Sequence, residues 1–258
     1  MDADAAAALE RAMTTIAAAS PSGFVTEVAP GVTAYATGVP MARMNGIVLT
    51  RPDALDEVAW RAAQTTLTAA GVPWTAQLVG PGATTGTGSI GAAAEAGLGD
   101  REPVVTWVLE PATGVTAVAD VEVVPVVSTA DREGFSRVLG AAFGSGPEIG
   151  RPLVEAAERD PRIRAVVVRG RRDDGVEDVL ATGYSVLEGP VVGVFAIATA
   201  AQARRRGLGE AVTRAVIADG VARGATVAVL QASAAGRPLY ERLGFRDAGD
   251  DIVYRRAR

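Results

Sequence analysis

Apolar residues in this 258-residue chain fall into short runs with two spacings. Recurrence every three or four positions predicts an amphipathic helix; alternation, or an unbroken run of four to eight, predicts a strand. Residues 4–19 are alanine-rich and predict a helix, and 20–30 read as a connector. Residues 32–37 and 45–50 predict strands. Arg51-Pro52-Asp53 has the proline and acid of a helix start, and that helix is expected to end near Ala70, before Gly71. A strand at 74–79, a break at Gly80-Pro81-Gly82, a polar loop at 84–87, a short helix at 89–98 and a strand at 104–109 follow.

The pattern loosens over 110–118, which divides the chain into residues 1–115 and 116–258. The second part reads as a strand at 121–127, helices at 132–143 and 151–159, and strands at 164–169, 179–187 and 191–199. A helix at 210–223, a strand at 226–231, a helix at 237–243 and an edge strand at 252–255 complete it. From Val32 the first part reads as a shortened copy of the later part of the second. The class is α/β, with a mixed, mostly antiparallel sheet flanked by helices.

One stretch stands out: Arg204-Arg205-Arg206-Gly207-Leu208-Gly209, between the strand ending at Thr199 and the helix opening at Glu210. The first amides of a helix lack partners inside it and carry its positive end. Glycines let a ligand approach the backbone, and arginines add charge, so this turn is suited to phosphate or pyrophosphate. The competing reading is close helix–strand packing beside a solvated arginine run.

Composition narrows the chemistry. All 25 basic residues are arginine, and the chain has no cysteine and no histidine. Thiol or imidazole nucleophiles, Ser-His-Asp triads, zinc sites built on Cys or His, and disulfides are therefore excluded. No metal is expected. The absence of lysine removes a P-loop. With a net charge of −5 and pI near 5.0 there is no footprint for nucleic acid. The N-terminus is acidic, with no basic region before an apolar core, and no apolar run approaches ~18 residues. A soluble, cytoplasmic protein without membrane attachment is expected, as a monomer or homodimer.

The segment I-A-T-A-A-Q-A-R-R-R-G-L-G, ending at Gly209, resembles the acyl-CoA motif of the GNAT N-acetyltransferase superfamily. Downstream, P-L-Y-E-R-L-G-F, ending at Phe245, resembles the family's L-Y-x-x-x-G-F segment at the expected distance. The resemblance covers about residues 121–258 and implies a GNAT acyltransferase fold with acetyl-CoA as cosubstrate and an amine as acceptor. It implies that the backbone of Ile197, Ala198 and Thr199 pairs with the pantetheine arm. The amides of Arg205, Arg206, Gly207, Leu208, Gly209 and Glu210 would hold the pyrophosphate, and Arg204, Arg205 and Arg206 would meet outer phosphates. Ser233 stands where many relatives carry an asparagine on the cofactor arm. Tyr240 is the implied general acid for the departing thiolate; without its neighbours it would read as a core ring with its hydroxyl tied to backbone.

The base is less direct. Relatives often carry a glutamate where this chain has Gly193. Strand alternation puts Gly193, Phe195, Ile197 and Thr199 on one apolar face. Glu188 is the nearest carboxylate, with a solvated turn as its other reading and a water chain as the other proton path. The acceptor is expected against Phe195 and Tyr184, and Asn45, in the odd segment M-A-R-M-N-G, is a candidate for the same pocket or for a turn. Arg51-Pro52-Asp53 and the acids after it stand where a cofactor-binding copy would need glycines, so residues 1–115 read as a degenerate GNAT-like half that binds no CoA. The rival functions are a non-catalytic acyl-CoA sensor and an accessory scaffold.

Overall fold

A computed structural model of the chain describes residues 2–49, 55–78, 97–171 and 175–256. The first part gives α1 (Asp2–Ala19), β1 (Phe24–Ala29), β2 (Val32–Ala36), β3 (Asn45–Leu49), α2 (Glu57–Ala69), β4 (Thr75–Leu78) and β5 (Leu98–Leu109). The second gives β6 (Val123–Pro125), α3 (Thr129–Ala142), α4 (Arg151–Arg159), β7 (Ile163–Arg171), β8 (Glu177–Glu188) and β9 (Val191–Thr199), then α5 (Leu208–Ala222), β10 (Val227–Gln231), α6 (Arg237–Arg242) and β11 (Arg246–Arg256). The expected helix start at 51–53 and most of the expected helix at 89–98 lie outside the described residues.

All the described strands form one sheet, in the order β1-β2-β3-β4-β11-β5-β10-β9-β8-β7-β6. Only β3/β4 and β9/β10 run parallel. Each of those pairs is bridged by a helix, α2 or α5, as a parallel connection requires. The same unit thus occurs twice: three antiparallel strands, a helix, a parallel strand, and one further antiparallel neighbour. The halves exchange that last neighbour. β5, from the first part, pairs with β10; β11, from the second, pairs with β4; and β5 and β11 pair with each other.

Two expectations are corrected here. The connector at 20–30 contains β1, paired with β2 from Phe24↔Ala36; its sequence F-V-T-E-V-A shows neither alternation nor an unbroken apolar run. The expected edge strand at 252–255 is the end of β11, which sits between β4 and β5. Its run of acids and glycine, R-D-A-G-D-D, hides a central strand.

The first part has its own core beneath α2, with the rings of Trp60 and Trp74 in tilted contact at 5.6 Å among Ile47, Leu49, Leu55 and Leu67. On the second part, α5 and α6 cover one face of the sheet; α3 and α4 cover the other. α1 joins α3 and α4, setting Ala5, Ala8 and Leu9 on Val108, Val191 and Val229 and Met13 and Ile16 in the core around Tyr184 and Phe135. Burying side chains of this size stabilises by about 1.5–3 kcal/mol each.

α3 is tied to the sheet through its cap. The Ser128 hydroxyl accepts from the Asp131 amide at 3.1 Å, and Asp131 Oδ2 accepts from the Ser128 amide at 2.9 Å. Arg169 of β7 donates to both oxygens of Asp131 at 2.8 Å. The guanidinium holds the buried carboxyl well below the usual carboxylate range. A depressed folded pKa gives stability that is complete above the unfolded value near 4 and is lost as pH falls below it. Asp131→Asn should therefore lower stability by about 1–2 kcal/mol at pH 7. Thermal melts should show its gap from the wild type narrowing at pH 3.

Candidate functional site

β9 and β10 are parallel neighbours that pair only from Val191↔Val227 to Gly193↔Val229. Beyond Val194 and Leu230 they part, and a wedge opens towards their C-terminal ends. β9 stays bound to β8 up to Thr199, and β10 to β5 up to Gln231.

A bulge sets the wedge's lining. Tyr184 stands opposite Phe195 but Thr182 opposite Ala198, so Ala196 and Ile197 together oppose Gly183. Ala196 has φ 50, a left-handed conformation that costs a non-glycine residue about 1–2 kcal/mol. The Thr182 hydroxyl donates to the Ala196 carbonyl at 2.9 Å. The extra residue reverses the side-chain alternation. Gly193 and Phe195 face α1, where a Cβ built on Gly193 would lie 2.8 Å from the Phe195 ring and 3.5 Å from Ala12. Thr199 faces α5 instead, 3.6 Å from a Cβ built on Gly209. The expectation that Gly193, Phe195, Ile197 and Thr199 share a face is thus overturned, because simple alternation allows for no inserted residue.

The bulge also decides which backbone groups are free. The Ala200 amide donates to the Leu180 carbonyl of β8 at 2.9 Å. Two residues back, Ala198 turns its polar groups the same way, opposite Thr182. Those of Ile197 and Thr199 point into the wedge; the Thr199 carbonyl meets only Arg204 Nε, at 3.5 Å. Of the three residues expected on the pantetheine arm, Ala198 is therefore corrected: its polar groups belong to the β8 ladder.

At the wide end of the wedge lies the arginine–glycine turn. Arg205 (φ 63) and Gly207 (φ 78) are left-handed, and Gly207 is the N-cap of α5 with no side-chain cap. The first amide of the helix to find a partner is Ala211, bonded to the Gly207 carbonyl at 3.0 Å. Among the described hydrogen bonds none uses the amides of Arg205, Arg206, Gly207, Leu208, Gly209 or Glu210. The Glu210 carboxylate turns to Arg214, at 2.9 Å. Arg204, Arg205 and Arg206 are exposed and form no ion pair among the described residues. A row of unspent amides at a helix start is an anion site.

At the narrow end is Tyr240. Its ring is buried with Val194, Leu230 and Trp107 and meets Phe245 edge-on at 5.8 Å. Val194 and Leu230 are the first residues beyond the last β9–β10 pair, so the ring belongs to the cluster that closes the narrow end of the wedge, its throat. Burial alone pushes it up to about 12. α6 comes close to the turn: Leu239 lies 3.8 Å from a Cβ built on Gly209. Arg237 caps the Trp107 ring at 5.4 Å. Trp107, on β5, is a buried core ring; Thr182 is the residue that no local pattern in the sequence marks.

Other candidates are placed elsewhere. Glu188 Oε1 accepts from Thr15 at 2.5 Å and from Arg162 at 3.2 Å. It stands opposite Val191 at the closed end of the strand pair, about 10 Å along β9 from the throat at ~3.3 Å per residue. That placement argues against it as the base. Tyr184 is sealed in the core with an unpartnered hydroxyl, and burial holds its pKa well above the usual phenol range; it cannot wall an acceptor pocket. Phe195 remains partly exposed beside the throat. Asn45 is fully buried: Oδ1 accepts from the Thr37 amide at 2.9 Å, and Nδ2 donates to the carbonyls of Val39, Met41 and Pro73. It staples three segments of the first part and faces no cleft. The Ser233 hydroxyl accepts from the Gly236 amide at 3.2 Å at the start of α6, leaving its proton and one lone pair for a ligand.

Among the described residues the first part repeats the topology without these openings. β3 and β4 pair along all of β4, from Gly46↔Thr75 to Leu49↔Leu78. The first turn of α2 is capped by Asp56, whose carboxylate accepts from the Ala59 amide at 2.8 Å. Among the described residues no cluster of acids suits a metal, and no helix is long and apolar enough to cross a membrane.

Comparison with known proteins agrees with this architecture. Residues 179–254 match the family model described as FR47-like protein. A GCN5-related N-acetyltransferase from Kribbella flavida is similar over 100% of this chain and 96% of its own, with a TM-score of 0.67 and 20% identity. A functionally unknown conserved protein from Staphylococcus epidermidis is similar over 90% of this chain and 93% of its own (TM-score 0.59, 11% identity). A GCN5-related N-acetyltransferase from Sphaerobacter thermophilus covers 77% of this chain and 65% of its own (TM-score 0.51, 17% identity). No curated protein matches the sequence. The fold is that of the GNAT acetyltransferases.

The staple role of Asn45 has a direct check. Asn45→Ala should strand several buried groups and lower stability by roughly 2–4 kcal/mol, read as a fall in the denaturant midpoint. Ligand affinity of the fraction that stays folded should not change.

Proposed function

We propose that this protein is an acetyl-CoA-dependent N-acetyltransferase that acts by direct transfer to a primary amine in a ternary complex. One observation carries the reading: unspent amides, an open strand wedge and a buried phenol lie in line along β9. On this reading the amides of residues 205–210 take the diphosphate, and Ile197 and Thr199 pair with the pantetheine arm as an added strand would. The thioester is then presented at the throat. Arg204, Arg205 and Arg206 supply charge for the outer phosphates.

In the reaction a neutral amine attacks the thioester carbonyl. A C–N bond forms, the C–S bond breaks, the amine loses a proton and the sulfur gains one. Tyr240, with its pKa near 12, stays protonated at any physiological pH. A thiol of ordinary pKa, about 8.5, holds its proton less tightly, so complete transfer from phenol to thiolate is uphill by about 3.5 units (12 − 8.5). Tyr240 therefore acts by hydrogen-bonding the sulfur as charge develops and keeps its own proton; as the C–S bond breaks, the sulfur is protonated from water, which receives the proton the amine releases. No side chain at Gly193 can take the amine's proton, and α1 covers that position. The proton leaves through water, and only the neutral fraction of the amine reacts.

A second reading, a non-catalytic acyl-CoA sensor, draws on the same missing carboxylate. Thiol release with a panel of primary amines separates the two: binding without turnover for any amine would favour the sensor. For the enzyme, Tyr240→Phe should lower kcat about a hundredfold with little change in KM for acetyl-CoA. Glu188→Gln should stay within about threefold of the wild type, since a lost general base would cost about a hundredfold or more. With an alkylamine of pKa about 10, kcat/KM should rise about tenfold per pH unit from pH 6 to 9. No fall from phenol ionisation should appear below about pH 11, as Tyr240 titrates near 12. Calorimetry should find one CoA per chain, because the described part of the first half has neither a wedge nor an uncapped helix start.

A further inference from the structure

We infer that Thr182 is a positioning residue for the cofactor edge, acting through the β9 bulge; the inference rests on the proposed acetyl-CoA site. Thr182 is wholly buried on β8, the strand behind β9 as seen from the wedge. Its hydroxyl donates to the carbonyl of Ala196 at 2.9 Å, and Ala196 is one of only two described non-glycine residues with positive φ. The other, Arg205, lies in the anion turn. Both left-handed residues outside glycine thus sit on the path along which β9 would present a ligand.

A strained alanine persists only where its surroundings hold it. A regular strand would spread β9 across β8 one residue for one, which would remove the bulge. Because strand orientation has a period of two, a slip of one residue turns every later group the other way. The polar groups of Ile197 and Thr199 would then enter the β8 ladder, and those of Ala198 would face the wedge. The row of donors and acceptors along β9 would shift by about 3.3 Å against the anion turn. One buried hydroxyl therefore keeps the wedge edge in phase with the amides of residues 205–210.

Thr182→Val keeps the shape and removes the donor; Thr182→Ser keeps the donor. Thr182→Val should raise KM for acetyl-CoA, and Kd for CoA by calorimetry, at least fivefold, while Thr182→Ser stays within twofold of the wild type. Adding Ala196→Gly, which removes the left-handed penalty, should bring Thr182→Val back towards wild-type affinity. If Thr182→Val lowers the melting temperature but leaves both constants within twofold, the role is structural only and the inference is wrong. Equal loss in the Ser and Val variants would overturn it as well. Should Thr182→Val fail to fold, Thr182→Ser and Thr182→Ala decide: near-wild-type Kd in both would overturn the inference, and loss in Ala alone would support it. Wild type that binds no CoA would instead overturn the proposed function itself, and this inference with it.

Discussion

A sheet that opens between two of its own strands leaves backbone N–H and C=O groups without partners, and such groups are costly unless water or a ligand takes them. The wedge between β9 and β10 is therefore stable only if each strand is held from its other side. β8 holds β9 up to Thr199. β10 is held by β5, a strand contributed by the other half of the chain. That dependence explains why the halves are interleaved rather than set side by side. Without β5, β10 would have neighbours only over the three residues it shares with β9, and Trp107 would be missing from beneath α6.

The same interleaving places Tyr240. α6 is six residues long, too short to be stable by itself in water. Its position comes from packing: Tyr240 against Phe245 and the throat of the wedge, Leu239 near Gly209, and Arg237 over Trp107. The phenol's raised pKa is the electrostatic trace of that packing, since burial is its only cause. The two ends of β9 thus differ physically, with free dipoles at the turn and a dry phenol at the other end.

Much of this was legible in the sequence because its signals are local. Gly207 and the arginines announce the helix start, and L-Y-E-R-L-G-F announces α6; both landed where spacing put them. Helix α4 and strand β9 matched residue for residue, as apolar runs bounded by Gly, Pro or charge should. What could not be read depends on partners distant in the chain. The face assignment along β9 failed because the bulge is set by Thr182, on another strand. β11 read as an edge because its central position comes from β4 and β5. Glu188 read as an available carboxylate because Thr15 and Arg162, which hold it, are far away in sequence. Asn45 read as a possible cleft residue because its partners lie in the 37–41 loop and at Pro73, 28 residues beyond it.

The two halves show how little separates an open unit of this topology from a closed one. Both place a helix after the third strand of an antiparallel trio and return a parallel strand beside it. In the first, an aspartate at the helix N-cap satisfies an amide from within, and the parallel strands pair along all of β4. In the second, the N-cap is a left-handed glycine without a side chain, and a bulge turns the strand edge outward. Against a glycine N-cap a carboxylate cap gains only a few tenths of a kcal/mol, so the open amides cost the helix little and stay available to an external anion. Binding capacity in this architecture therefore follows from unsatisfied groups that the surrounding packing keeps available, and the topology alone does not confer it.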